Sequence, residues 1–257
     1  MKTLSISIVE AITMTKRNIW KSMKNPDRVL ENMIAPIMTL LLFVYVLGGA
    51  MSNSTEIDFV NYIVPGALVL CIAQCSVTTA IGVSTDIQKG IVDRFRSMPI
   101  STSSVLTGHV IESVIRTTVS LIIIFIVAFI VGFRPNASIG SWIVVFILLL
   151  LFAIMITWIS VVYGLLVKSP EGASSLNMFI TVLVYMSSGF IPTHTLPSFL
   201  RIFAENQPVT WIIEALRRLM LSQPLENYLL MAIICCVTII FIAYFTSLYL
   251  YKSKVNR

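Results

Sequence analysis

The chain has 257 residues, of which 57% are hydrophobic and 12% are charged, and its formal net charge at pH 7 is +6. Because soluble domains carry roughly 25% charged residues, this composition excludes an ordinary soluble protein. Uncharged apolar runs long enough to cross a bilayer recur along the chain, and irregular backbone cannot face lipid. The sequence therefore predicts an all-α integral membrane protein.

Residues 1–31 are predicted to be cytoplasmic and to contain an amphipathic helix that lies in the membrane interface. Ile8, Ile12, Ile19 and Met23 share one face of this helix, and lysine side chains occupy the other. This arrangement is typical of a helix that buries its apolar face among lipids and keeps its charges at the headgroups. Membrane lipid is therefore an expected partner.

Six transmembrane helices are predicted within residues 32–251, and residues 252–257 form a cytoplasmic tail. The six spans lie at about 32–50, 60–84, 111–133, 138–167, 172–190 and 227–251. Lysine and arginine residues cluster before the first span, between the second and third spans, and after the sixth. Because cytoplasmic loops carry this excess, both termini are predicted to be cytoplasmic, and the positive charge indicates topology rather than a nucleic-acid partner.

Span two and span five carry polar side chains that are candidates for a substrate path or a dimer seam. They are Gln74 and Thr78 on span two, and Asn177, Thr181, Tyr185 and Ser188 on span five. Ser76, Ala80 and Ser84 also form a row of small residues on span two, which permits another helix to approach closely. Helix packing and a substrate path both remain possible interpretations of these patterns.

The stretch after span two predicts a short amphipathic helix on the cytoplasmic side. Its apolar positions are Ile87, Ile91, Phe95 and Met98, and its charged positions are Lys89, Asp93 and Arg96. Pro99 disfavours helix at the residue before it. The pattern by itself fits either a solvated loop helix or an element that docks on the spans or on a partner.

Span three contains one acid–base pair, Glu112 and Arg116, near its inner end. Their spacing of four residues favours an ion pair on one helix face. Ionisable residues inside a membrane often belong to ion or proton pathways. The pair is interpreted as a structural ion pair, with a proton pathway as the alternative.

The segment between span five and span six is too apolar for an ordinary loop and predicts two short helices that form a lid at the outer interface. Pro197 precedes the first helix and Pro208 precedes the second. In the second helix, Glu214, Arg217 and Arg218 are expected to face away from an apolar stripe. Glu214 and Arg218 are expected to form an ion pair.

No catalytic or metal-binding residue is predicted. The chain contains no phosphate-binding loop, zinc-protease motif or nucleophile elbow,. Its four cysteines fall inside predicted spans, where they are interpreted as small packing residues rather than metal ligands. The chain is therefore not expected to be an enzyme.

Three stretches of the chain together carry a family resemblance: YIVPGALV at the start of span two, GIVDRFRSMPIS between spans two and three, and SSGFIPTHTLPSFLRIFAENQPVTWIIEALRRL after span five. In this order and at these positions they resemble the permease subunits of ABC-2 type exporters, particularly the daunorubicin-resistance-like multidrug branch. The resemblance extends over nearly the whole chain. One departure is Gln207, which stands where a small polar residue such as asparagine is expected.

The resemblance implies that residues 86–99 form a coupling helix that docks on a separate ATP-binding subunit. The implied polar contacts are Asp86, Lys89, Asp93, Arg94 and Arg96, and the implied anchors are Phe95 and Met98. It also implies two permease copies in a homodimer and two ATP-binding subunits. ATP and magnesium would bind to those subunits, and this chain would hold no cofactor.

The expected function is the outward movement of drug-like amphiphiles or lipids across a prokaryotic plasma membrane. The resemblance implies a central path formed chiefly by spans two and five, an N-terminal elbow helix that touches the ATP-binding subunit, and outer helices that close the path. Within the family, a polysaccharide or glycolipid exporter is the alternative. Outside it, the alternatives are a proton-coupled carrier that depends on Glu112 and a non-transporting scaffold or immunity protein.

Overall fold

The computed structural model describes residues 10, 12–20, 24, 26–48, 58–90 and 102–255. Over these ranges the chain is helical and contains no β-strand. The all-α prediction is therefore confirmed. The coupling-helix residues from Asp93 to Met98 lie outside the described ranges.

The described helices are numbered here in chain order. Residues 12–20 form α1. The others are α2 (Pro26–Leu42, followed by a π-helical turn Phe43–Leu47), α3 (Phe59–Gln88), α4 (Thr102–Val131), α5 (Ile139–Leu166), α6 (Pro170–Ser174), α7 (Leu176–Tyr185), α8 (Ser198–Asn206), α9 (Pro208–Met220) and α10 (Tyr228–Val255).

Four of these helices, α3, α4, α5 and α10, are long and apolar enough to cross a membrane. They overlap the second, third, fourth and sixth predicted spans. The first predicted span appears as a shorter apolar stretch, Ile34–Val46, within α2 and its π-helical turn. A helix of about 20 residues is needed to cross the hydrocarbon core, so length separates this stretch from the four long helices.

The fifth predicted span is two short helices, α6 and α7, rather than one. Ser169 caps α6 by accepting a hydrogen bond from the Gly172 amide at 3.1 Å, and Pro170 occupies the first turn. At the other end, α7 stops at Tyr185 and the chain turns through residues 186–190. There the Gly189 backbone lies so close to α3 that a side chain on Gly66 would clash with it.

Helix α3 is the centre of the bundle. It contacts α2, α4, α5, α6, α7 and α9. In an apolar stretch of 18 residues of α3, 78% of the residues are buried, whereas in the corresponding stretch of α10 only 17% are buried. The other helices therefore surround α3.

The row of small residues on α3 receives α5. Ser76, Ala80 and Ser84 are all buried, and a Cβ added to Gly164 of α5 would lie 2.5 Å from the Ala80 carbonyl oxygen. Two backbones approach this closely only where both helices present small residues. The row is therefore a packing seam within the chain.

The bundle has two ends. At the first, here called the α1 end, the Gln88 side chain at the end of α3 donates to the Lys168 carbonyl after α5, at 3.1 Å. At the second, here called the α9 end, the Asn136 amide donates to the Met220 carbonyl at 3.1 Å. The exposed Lys89 belongs to the α1 end, and the short helices α8 and α9 belong to the opposite one.

Helix α1 packs against the start of α4. Met14, Thr15 and Asn18 are buried, whereas Ile12 is 60% exposed. The Met14 side chain sits against Gly108, where a Cβ would lie 2.7 Å from it. The protein-facing side of α1 is thus a different side from the one that carries Ile12.

Candidate functional site

Asp86, in the last turn of α3, is the buried centre of a charged cluster at the α1 end. Its Oδ2 accepts a hydrogen bond from Arg17 Nη2 of α1 at 3.2 Å. His109 Nε2 of α4 lies 3.3 Å from the same oxygen. Because Asp86 and His109 are both buried, these contacts form in an environment that screens charge poorly.

This cluster joins three helices. Helix α3 ends shortly before residues 91–101 and α4 begins just after them, and the Asp86 contacts fasten both helices to α1. A second contact supports the joint, because Ser104 Oγ donates to Glu10 Oε2 at 3.2 Å. The end of α3 and the start of α4 are therefore held against the N-terminal part of the chain.

The two described site residues of the predicted coupling region, Asp86 and Lys89, differ in exposure. Lys89 is exposed at the turn after α3, whereas Asp86 is buried and paired within the chain. Gly90 follows with φ of +63°, a conformation that favours glycine,. The chain thus leaves α3 through a turn that Gly90 makes possible.

Glu112 and Arg116 are buried neighbours on α4, with Arg116 Nε 3.1 Å from Glu112 Oε1. The same guanidinium reaches α3, where Nη1 donates to the Cys75 carbonyl at 2.9 Å and Nη2 donates to Thr79 Oγ1 at 3.3 Å. Arg116 thus donates to a carboxylate, a backbone carbonyl and a hydroxyl at the same time. This arrangement is a bridge between two helices.

The predicted polar face of span five divides among three neighbourhoods. Gln74 Nε2 of α3 donates to Thr181 Oγ1 at 3.1 Å, and Thr181 in turn donates to Asn177 Oδ1 at 3.3 Å. Tyr185 pairs instead with Thr39 of α2, with 2.9 Å between their hydroxyl oxygens. Asn177 and Tyr185 are exposed at the surface of the single chain.

The remaining two predicted positions are Thr78 and Ser188. Thr78 is half-buried on α3 and is bonded. Ser188 is buried in the turn after α7. The structure therefore brings Gln74, Thr181 and Asn177 together and places Ser188 at the α9 end.

At the α9 end, Arg217 of α9 is the centre of a second buried cluster. Its Nη2 donates to the Ser188 carbonyl at 2.6 Å, and its Nε donates to the Tyr62 carbonyl at 3.2 Å. The guanidinium carbon lies 3.8 Å from the centre of the Tyr62 ring, and Glu214 supplies the counter-charge. The Tyr62 hydroxyl also donates to the Ser188 carbonyl at 2.8 Å.

This cluster corrects two predictions. Arg217 was expected to face away from the apolar stripe, but it is 3% exposed. Glu214 pairs with Arg217 rather than with Arg218, and Arg218 pairs with Glu226 at 2.7 Å. The aromatic ring and the two carbonyls that hold Arg217 lie far away in sequence, so spacing along α9 carries no signal for them.

The part of the chain that the structure describes contains no cluster of three or more histidine, cysteine, aspartate or glutamate side chains that could hold a metal ion. Asp86, Arg116 and Arg217 are each paired with an oppositely charged side chain of this chain. They are suited to holding helices in place. Neither acid–base nor nucleophilic chemistry is evident in their geometry.

Comparison with known proteins gives a family match over most of the chain. The model of the ABC-2 type transporter family matches residues 9–221. The chain is 27% identical over 251 residues to the daunorubicin resistance ABC transporter permease protein DrrB1 of Streptomyces coeruleorubidus. The aligned region covers 95% of this chain and 88% of the relative.

Two further relatives are more distant. The probable doxorubicin resistance ABC transporter permease protein DrrC of Mycobacterium tuberculosis is 22% identical, over 84% of this chain and 79% of the relative. The putative transport permease ycf38 of Cyanophora paradoxa is 24% identical, over 82% and 73% respectively. The similarity to each relative thus extends over most of both chains.

Proposed function

Because the chain belongs to the ABC-2 type transporter family, we propose that it is the permease subunit of an ATP-driven exporter that moves drug-like amphiphiles or lipids outward. The match of residues 9–221 carries this proposal, since it takes in every described helix from α1 to α9. The relatives named as daunorubicin and doxorubicin resistance permeases support a drug-like cargo. The apolar helices support a location in a membrane.

In this proposal a separate ATP-binding subunit docks on residues 86–99 at the α1 end, which faces the cytoplasm with both termini. Lys89, Asp93, Arg94 and Arg96 contact that subunit, and Phe95 and Met98 anchor the segment. Asp86, which is buried and paired with Arg17 and His109, positions the segment against α1 and α4. Closure of the ATP-binding subunits then displaces three helices together.

Two copies of the chain and two ATP-binding subunits complete the proposed exporter. Both copies cross the membrane six times, with α2 and the α6–α7 pair as the shorter crossings. The exposed side chains Asn177 and Tyr185 of α7 face the second copy, and the path lies between α3 and α7 of the two chains. This arrangement is supported by the exposure of Asn177 and Tyr185 at the surface of the single chain.

A proton-coupled carrier would need an acid that can exchange protons with both sides of the membrane. Glu112 is the candidate within span three, but Arg116 holds it at 3.1 Å and bridges to Cys75 and Thr79. A carboxylate held this way stabilises the α3–α4 contact. The structural interpretation of Glu112 therefore favours the ATP-driven exporter.

The test is co-purification from the native membrane in mild detergent, followed by mass spectrometry. The wild-type chain is expected to recover an ATP-binding subunit with a phosphate loop, and a variant with Asp93→Lys and Arg94→Glu together is expected to lose it. Lys252→Glu, which changes an exposed charge near the C-terminus, serves as the control and retains the partner. Recovery of the chain alone, combined with transport driven by a pH gradient, would contradict the exporter proposal.

Transport in membrane vesicles supplies the second readout. ATP and the partner subunit are expected to be required for accumulation of daunorubicin in inside-out vesicles. The charge-reversed variant should insert normally and fail to accumulate the drug. Unchanged transport by that variant would refute the assignment of the segment to ATP-driven coupling.

A further inference from the structure

Helix α1 presents a stripe of alternating apolar and basic side chains on the side that faces away from the bundle. Four exposed side chains recur there at every fourth position: Ile12, Lys16, Trp20 and Lys24. Lys24 continues the helical geometry, because its amide donates to the Trp20 carbonyl at 3.3 Å. Residues four apart lie on one face of a helix. The four side chains therefore form one surface, here called the α1 stripe.

The opposite side of α1 is covered by the protein. Met14, Thr15 and Asn18 are buried there, and Arg17 pairs with Asp86 of α3. The exposed side therefore carries isoleucine, tryptophan and lysine together, rather than apolar residues alone. Immersion of this side in hydrocarbon would bury two ammonium groups, which costs a large amount of free energy. The composition of the stripe thus suits the boundary between lipid tails and water.

The depth of α1 in the bilayer follows from the two long helices that it contacts. Helices α3 and α4 contain 30 residues each, so each is about 45 Å long, which matches a bilayer with its headgroup layers. Since the hydrocarbon core takes about 30 Å of this length, roughly 7 Å at each helix end lies among headgroups. Arg17 contacts Asp86 two residues before the end of α3, and Met14 contacts Gly108 six residues after the start of α4. These points are about 3 and 9 Å from the helix ends, so α1 lies at headgroup depth.

The charges of the stripe are available to a ligand. Within the described ranges, neither Lys16 nor Lys24 pairs with a carboxylate, whereas the third cation of α1, Arg17, is held by Asp86. The Lys24 ammonium lies 3.7 Å from the centre of the Trp20 ring, so cation and ring form one contact surface. Tryptophan favours the membrane interface, and each lysine near an anionic membrane surface contributes roughly a fivefold preference for anionic lipid.

We propose that the α1 stripe binds anionic phospholipids in the leaflet at the α1 end. Lys16 and Lys24 contact headgroup phosphates, and the Ile12 and Trp20 side chains insert between neighbouring headgroups. Zwitterionic lipid is disfavoured, because its headgroup carries an ammonium group beside the phosphate and has no net charge to attract two lysines. This inference goes beyond the proposed export function and holds for any cargo. The bound lipid fixes α1 between the leaflet and the start of α4.

The experiment compares the quenching of Trp20 fluorescence by brominated phosphatidylglycerol and by brominated phosphatidylcholine, in vesicles that contain the full-length chain. Each quencher is mixed at increasing mole fraction into unlabelled phosphatidylcholine, and the Trp20 signal is the difference between the wild type and Trp20→Phe. At low salt, phosphatidylglycerol is expected to reach half-quenching at a mole fraction at least about fivefold lower than phosphatidylcholine does. High salt should bring the two mole fractions to within about twofold, since it screens exposed charges.

Two double substitutions assign the preference to the stripe. Lys16→Gln with Lys24→Gln is expected to abolish the preference for phosphatidylglycerol, while both lipids still quench Trp20. Lys168→Gln with Lys252→Gln is the matched control, because it removes two exposed lysines from other parts of the chain. The control changes the net charge by the same amount and is expected to keep the wild-type preference.

Three outcomes would overturn the proposal. The first is equal quenching of wild-type Trp20 by the two lipids at low salt, a comparison that needs no substituted lysine. The second is a preference that survives the loss of Lys16 and Lys24, or one that the control also loses. The third is the absence of quenching by either lipid, which would assign the stripe to a protein partner such as the ATP-binding subunit. None of these results bears on whether the chain exports a cargo, which the co-purification and transport assays test separately.

Discussion

Replacement of Arg217 by methionine is expected to destabilise the α9 end strongly. The substitution keeps most of the side-chain volume but removes the donors to the Tyr62 and Ser188 carbonyls, the contact with the Tyr62 ring and the partner of Glu214. Breaking a buried ion pair by removing one partner costs about 3–5 kcal/mol, largely because the other charge stays buried. In a protein of this size, that cost corresponds to a fall in Tm of roughly 6–20 °C.

The assay is thermal unfolding of the purified chain in detergent, with Arg201→Met as the matched control. Arg201 also forms an ion pair, with Glu205 at 2.8 Å, but both side chains are about half exposed. An exposed pair of this kind contributes about 0–1 kcal/mol. Arg201→Met should therefore unfold close to the wild-type temperature.

A second substitution tests the physical cause. If the cost arises from the unpaired carboxylate, adding Glu214→Gln to Arg217→Met should recover about 1–2 kcal/mol. Arg217→Lys keeps the positive charge but loses the planar guanidinium with its several N–H donors. An intermediate loss of about 1–3 kcal/mol in the free energy of unfolding is expected. Equal Tm values for Arg217→Met and Arg201→Met would refute the reasoning.

Three further predictions concern the rest of the bundle. Gly164→Ala is expected to lower the free energy of unfolding by about 1–3 kcal/mol, since the added Cβ would lie 2.5 Å from the Ala80 backbone,. Gly140→Ala is the control, because the nearest neighbour of its added Cβ is a Ser138 side-chain oxygen at 3.8 Å. In chemical unfolding, Gly140→Ala should be neutral or stabilising. Asp86→Ala should speed tryptic cleavage after the exposed Lys16 about tenfold, because α1 loses its buried partner,, whereas Asp58→Ala at an exposed position should not change the cleavage rate. Glu112→Gln should leave the pH dependence of vesicle transport unchanged, because this carboxylate bridges helices through Arg116; a shifted pH profile would instead support the proton-coupled carrier.

The sequence predicts most of the helical framework because apolar length is a local property. The four long helices follow from long apolar runs with few charges, which are typical of membrane spans,. The short helices α8 and α9 follow from Pro197 and Pro208, each of which stands at the start of an amphipathic stretch. These features need no knowledge of what lies nearby in space.

The end of α7 at Tyr185 and the buried charges depend on tertiary contacts instead. The turn after α7 brings Gly189 against Gly66, which lies far earlier in the chain. Arg217 is polar by composition, and only the carbonyls of Tyr62 and Ser188 make its burial favourable. Likewise, the contacts of Asp86 with Arg17 and His109 join three separate segments. Periodicity within one helix cannot indicate such partners.

The peripheral position of α10 has a consequence for biogenesis. This helix packs mainly on α5 and α9 and is the least buried of the four long helices. Because a chain is synthesised from its N-terminus, Ala80 and Gly164 of the α3–α5 seam leave the ribosome before α10 does,. The centre of the bundle is therefore available for packing before its α10 flank is. Premature termination before α10 would thus leave both partners of the α3–α5 seam present and the α5 flank uncovered.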